Sequence, residues 1–221
     1  MVKATISCPN SHITKWCIQP SIQGKPLGNI LLCCAIFFSG GSPTQLLPMF
    51  FMGIRTIQKT QFLKFQRCYM LPAVTEVWQL EQSQLLQQLK GRELCLAGDG
   101  RADSPGHSAD FGTYSLLETD VNRIIHVELV KSTEVSSSNR MEREGLERAL
   151  AFLNQQDVSI SMLVTDRHTE VKAFMKRTYS TIRHRFDVWH VAKGIKKKLV
   201  AAAAGKRHNV IQKWCPTIPW C

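Results

Sequence analysis

Two aspartates in this chain close short apolar runs. Asp99 follows Leu94-Cys95-Leu96-Ala97-Gly98 and precedes Gly100; 67 residues later Asp166 follows Met162-Leu163-Val164-Thr165. Each run has the length and composition of a buried strand. Two such strands, each ending in a carboxylate, can place both carboxylates at one edge of a sheet. Mg²⁺ or Mn²⁺ fits such an edge, because Mg²⁺ takes oxygen ligands and commonly uses only one or two carboxylates plus substrate phosphates. Asp187-Val188-Trp189-His190 adds a carboxylate and an imidazole three residues apart. Asp103 is a rival for the first position, but it lies on a loop, which holds a ligand less rigidly. Cys8, His12 and Cys17 could donate three zinc ligands, yet no fourth stands nearby, and ordinary packing explains them as well.

The charge is placed unevenly. The 221 residues carry a net charge of +11, and thirteen Lys/Arg lie between Arg167 and Lys213 against only Glu170 and Asp187. The rest of the chain carries fifteen of each sign, so the whole excess follows the second aspartate. Such a one-sided field favours a polyanion, although a solvated basic face would look the same. Hydrophobic content of 44% with 20% charged residues excludes a disordered chain. The eight cysteines show no disulfide framework, and the start of the chain lacks the apolar core of a signal peptide. A reduced, intracellular compartment is expected.

Several elements must position these groups. Residues 1–25 read as a polar lead-in, possible disorder included. Residues 26–90 read as a helical region, starting with the apolar run Ile30 to Phe38. That run is too short to cross a bilayer, so a membrane anchor over residues 30–54 is only a minor alternative. A further helix is expected over Thr44 to Phe51, capped by Ser42, and another from Gln58 to Gln88. From Leu94 the period changes. Strands are expected at Leu94 to Asp99, Phe111 to Glu118 and Arg123 to Val130, joined as a meander. A helix begins at Asn139, with Asn139 as N-cap and Glu142 completing a capping box. A strand follows at Ser159 to Thr165, a helix at Glu170 to Arg177, a strand at Arg183 to Val188, and a helix at Lys193 to Ala204. This order predicts an α/β mixed five-stranded sheet with flanking helices, in which the first and fourth strands lie side by side.

The order of elements, with aspartates ending strands one and four, resembles the RNase H-like nuclease fold. The residues resemble more closely the DDE/D-type cut-and-paste DNA transposases of the hAT, Mutator and Kolobok-like kinds. Asp187-Val188-Trp189-His190 looks like their D/C-x-x-H motif, and residues 98–106, 164–168 and 187–194 look like segments of transposase-derived reading frames. The resemblance is firm over residues 91–199, within an incomplete core of 91–204 followed by a tail of 205–221. It implies a two-metal site for Mg²⁺ or Mn²⁺, with Asp99 and Asp166 as metal-binding catalytic carboxylates and Asp187 and His190 as an accessory pair. It also implies DNA as partner, no membrane, a nuclear location and homo-oligomers as an open alternative. Arg167, Arg183, Arg185, Lys193, Lys196, Lys197 and Lys198 are the expected nucleic-acid contacts. The family's third carboxylate is a glutamate on a helix well past the D-x-x-H motif, whereas no Asp or Glu follows Asp187 here. The expectation is therefore an inactive transposase remnant or a fragment. The alternative is a non-catalytic DNA- or protein-binding module on the same fold.

Overall fold

The computed structural model describes residues 2–46, 57–104, 108–137 and 139–203, and divides the chain into two compact units, Met1–Leu80 and Glu81–Cys221. The expected helix over Thr44 to Phe51 falls mostly outside the described residues; Pro43–Leu46 forms a short 3₁₀ turn. The expected 205–221 tail also lies outside them.

The first unit opens with strands rather than with an unstructured lead-in. β1 (Lys3–Ser7) and β2 (Ile13–Cys17) pair antiparallel, and β3 (Ser21–Ile22) pairs with β4 (Lys25–Pro26). Nearly every residue of β1 and β2 is exposed, so neither strand has the buried alternating face that reveals a strand in sequence. Helix α1 (Leu27–Phe38) follows, then α2 (Lys59–Phe65), which continues through a π-helical segment into α3 (Leu71–Leu89). Cys33, Ile36, Ile57, Phe62, Phe65 and Met70 form its core. Among the described residues, no helix is long and apolar enough to cross a membrane.

The second unit is built on one mixed sheet. Its strands are β5 (Glu93–Ala102), β6 (Phe111–Glu118), β7 (Arg123–Lys131), β8 (Ser159–Thr165) and β9 (Arg183–Phe186). They lie in the order β7-β6-β5-β8-β9, with β5, β6 and β7 antiparallel and β5, β8 and β9 parallel. This is the α/β architecture expected, and its strand order is that of the RNase H-like fold. Helices α4 (Asn139–Gln155), α5 (Thr169–Thr178) and α6 (Val188–Ala203) alternate with the later strands. Leu94, Leu96, Tyr114, Leu116, Ile125 and Leu163 of the sheet share one core with Leu146, Leu150 and Leu153 of α4 and Val171, Phe174 and Met175 of α5. The period-3.6 stripe of α4 and the period-2 pattern of β5 and β6 are thus two sides of one contact.

Three boundaries differ from expectation, the first being that β5 runs on to Ala102, so Asp99 lies within the strand, paired with Ser115 of β6, and does not end it. β9 stops at Phe186, and α6 begins at Val188 rather than Lys193. The apolar pair Val188-Trp189 reads as a strand continuation, but Asp187 accepts the Trp189 N–H at 3.0 Å and starts the helix as its cap.

Candidate functional site

The site is organised by the pairing of β5 with β8. From Cys95↔Met162 to Ala97↔Val164 the partners are offset by 67 residues, the spacing that separates Asp99 from Asp166. The two aspartates therefore stand at matched positions two residues past the last parallel pair, Asp99 within β5 and Asp166 just beyond the end of β8.

Their side chains do not converge. Positions 98 and 100 face α4 and the core, since a Cβ on Gly98 would strike the Tyr114 ring and one on Gly100 would lie 2.7 Å from Glu142 Cγ. Asp99 alternates between them on a strand still paired to β6, so it projects from the opposite face and is exposed. Asp166 has left its strand. Its Oδ1 accepts the His168 N–H at 2.9 Å, a turn that swings the carboxylate toward α4. There its charge reaches the Glu142 carboxyl. Among the described residues no group of three or more His, Cys, Asp or Glu is arranged to hold a metal ion.

Glu142 is the residue that sequence reasoning missed. It was expected as a capping-box glutamate, whereas its carboxyl meets Asp166 in the folded unit. Burial first, then the charge of Asp166 and the hydrogen bond to it, and last the charge of Asp99, push the Glu142 carboxyl up to about 8. Tyr114, on β6, completes the surroundings. Its side chain is 1% exposed, and its hydroxyl has no hydrogen-bond partner. The hydroxyl is held un-ionised by burial and, in decreasing order, by the charges of Glu142, Asp166 and Asp99. The sequence does carry a signal for this packing. Two glycines at alternate positions of one strand mark a close approach, here of the Tyr114 ring and of Glu142.

Asp187 and His190 do form a pair, at the N-terminus of α6. His190 Nδ1 lies 2.7 Å from Asp187 Oδ2, and the other carboxylate oxygen caps the helix. The Trp189 N–H first, then His190, hold the Asp187 carboxyl below its usual range. Both side chains are partly exposed. Asp103 is spent on closing its own loop, because its Oδ2 accepts the Phe111 N–H at 3.2 Å.

The basic residues spread around this end of the sheet. Arg183 and Arg185 alternate on the exposed edge strand β9, and Arg167 is exposed immediately after Asp166. Its guanidinium lies beside Gly194 of α6, where a Cβ would be 3.6 Å away. Lys193 Nζ sits 4.6 Å from the Trp189 ring centroid. Lys197 and Lys198 are exposed and Lys196 is half-buried on the same helix. In the first unit, Cys8 Sγ and His12 Nδ1 are 3.4 Å apart near the turn of the β1–β2 hairpin. Cys17 pairs with Lys3 at the open end of that hairpin, so the three candidate zinc ligands are not brought together.

No protein-family model matches the chain, and no curated protein matches it. Among solved structures it is similar to the HTLV-2 integrase catalytic core domain in complex with magnesium. The dimeric form aligns at 15% identity over 57% of this chain and 86% of that chain, with a TM-score of 0.28. The trimeric form aligns at 18% identity over 55% and 83%, again with a TM-score of 0.28. The fold assignment rests on the strand order and register of the sheet.

Proposed function

We propose that the Glu81–Cys221 unit is a DNA-binding core of transposase origin that retains part of a metal-dependent strand-cleavage site. The observation that supports this reading is the parallel register of β5 with β8, whose 67-residue offset equals the spacing of Asp99 and Asp166. The hAT-, Mutator- or Kolobok-like origin belongs to the proposal and rests on the residues at 98–106, 164–168 and 187–194. A nuclear location belongs to it as well.

The donors present suit a hard cation. They are carboxylate and hydroxyl oxygens. When bound, Mg²⁺ or Mn²⁺ would supply an activated water and charge stabilisation at a leaving oxygen. The residues of the chain set the stage for this. The His168 N–H fixes the orientation of Asp166, and the helix-capping Asp187 holds His190 in place. The exposed arginines and lysines beyond Asp166 meet backbone phosphates, which supply affinity without reading sequence.

Fluorescence anisotropy with labelled duplex DNA tests the binding half of this reading. Affinity should fall by orders of magnitude as salt rises from about 50 to about 200 mM, as expected when several phosphates are neutralised. A salt-insensitive affinity, or none, would sink it. The second reading, a binding module without metal chemistry, is favoured by the divergence of Asp99 from Asp166. It requires that Asp99→Ala and Asp166→Ala leave DNA affinity unchanged and that the wild type bind no Mn²⁺.

A further inference from the structure

We propose that a cavity between α5 and the edge strand β9 binds one nucleoside phosphate, with its base against Phe186 and Tyr179 and its phosphate on Lys172 and Lys176. The ligand is a free nucleotide or an unpaired nucleotide of a single strand. The inference does not rest on the metal site, and it goes beyond the duplex contacts argued above. Those use Arg183 and Arg185, which alternate along β9 with the cavity-lining His184 and Phe186 and so leave the strand on its other face.

Three observations carry it. The first is shape. The cavity measures about 280 Å³. Met175, at 1% exposure, and the half-buried Ile182 give it an apolar lining, to which the half-buried rings of Tyr179 and Phe186 add aromatic surface. Ligand pockets generally begin at about 300 Å³, so this one admits a single base and leaves sugar and phosphate at its mouth. A base pair stacked in a duplex does not enter.

The second is charge. Lys172 and Lys176 are exposed, stand one helical turn apart on α5, and line the cavity with no acidic side chain among the described residues. Lys172 Nζ lies 5.9 Å from the Phe186 ring centroid, which sets an ammonium group beside the aromatic surface. Lysines that only guard a sheet edge need no cavity behind them. A bare anion would leave the rings unused, and an apolar ligand would leave both ammonium groups unused. A flat ring carrying a phosphate uses all of them.

The third is His184. The Thr165 hydroxyl donates to the Asp166 carbonyl at 2.9 Å, so it accepts from His184 Nε2–H, also at 2.9 Å. This fixes the tautomer and leaves Nδ1 as an acceptor. Burial first, and then the charge of Lys172, hold the imidazole below its usual range and keep it neutral. A neutral ring with an open acceptor suits the exocyclic amine of a base.

Calorimetric titration of the full-length chain with dAMP tests this, beside deoxyadenosine, inorganic phosphate and a short single-stranded oligo(dA). The expected result is one dAMP bound with Kd below about 1 mM, and deoxyadenosine and phosphate each at least about tenfold weaker. Phe186→Leu, which keeps apolar bulk but removes the ring, and Lys172→Ala/Lys176→Ala should each weaken dAMP by about fivefold or more. Both lysines are exposed, so the double variant keeps the test if Phe186→Leu does not fold by circular dichroism. Oligo(dA) that binds more tightly than dAMP and is displaced by it identifies a strand as the source; weaker or equal binding identifies the free nucleotide. Phosphate binding as tight as dAMP, unchanged dAMP affinity in the folded variants, or no saturable binding of dAMP or oligo(dA) at millimolar concentration would overturn the inference. Duplex binding that persists beside any of these leaves the proposed DNA-binding function standing. Loss of duplex binding with dAMP binding intact would sink that function alone.

Discussion

Replacing Glu142 by glutamine should change how the stability of this protein depends on pH. The unfolded carboxyl titrates near 4.5, and burial beside Asp166 pushes it up to about 8 in the folded chain. Between those values the folded state binds the extra proton, so stability is greatest below 4.5, falls as pH rises, and levels off above about 8. At 1.36 kcal/mol per unit the full shift would amount to about 5 kcal/mol, and partial exposure of Glu142 brings the expectation down to about 2 kcal/mol. Glutamine keeps the shape and does not titrate. Urea unfolding at pH 5 and pH 8.5, with EDTA present, should show the wild type losing about 2 kcal/mol more than Glu142→Gln across that interval. Titrating groups other than Asp166, which is coupled to Glu142, are common to both proteins and cancel in the difference. Parallel pH profiles within about 0.5 kcal/mol would refute the reasoning, because a carboxyl that does not titrate with folding is not pressed against Asp166.

Other perturbations probe the same region. Gly98→Ala places a methyl against the buried Tyr114 ring and should cost about 1–3 kcal/mol by urea unfolding, with part recovered in Gly98→Ala/Tyr114→Phe. Asp187→Ala removes the α6 cap and should cost about 1 kcal/mol. Because the folded pKa of Asp187 is depressed, that contribution is present above its unfolded value of 3.8 and is lost as pH falls through the folded value. A double Lys193→Ala/Lys197→Ala variant should weaken duplex DNA binding for all sequences alike and reduce the salt slope by about two. An unchanged slope would place the DNA elsewhere.

Strands β5 to β9 and helices α4 to α6 are written in local periodicity, which is why they are legible in sequence. Alternation in Phe111–Glu118 marks one buried face, and the stripe of Leu146, Leu150 and Leu153 marks the helix that covers it. The spacing of Asp99 and Asp166 even matches the register of the pair, since both strands are needed to bury the same core. In the first unit the exposed β1–β2 hairpin buries no face and left no such trace.

The geometry of the site was decided by tertiary structure alone. Strand alternation sends Asp99 to the face away from α4, while a turn at His168 bends Asp166 toward it. Glu142 reads as a cap residue because its local neighbours are those of a helix start. Only the docking of α4 across β5, allowed by Gly98, Gly100 and the close contact of Gly145 with Tyr114, sets it against Asp166. Helical period states which residues share a face. Which turn of that face lies over which strand residue is a long-range packing outcome, and no local pattern encodes it.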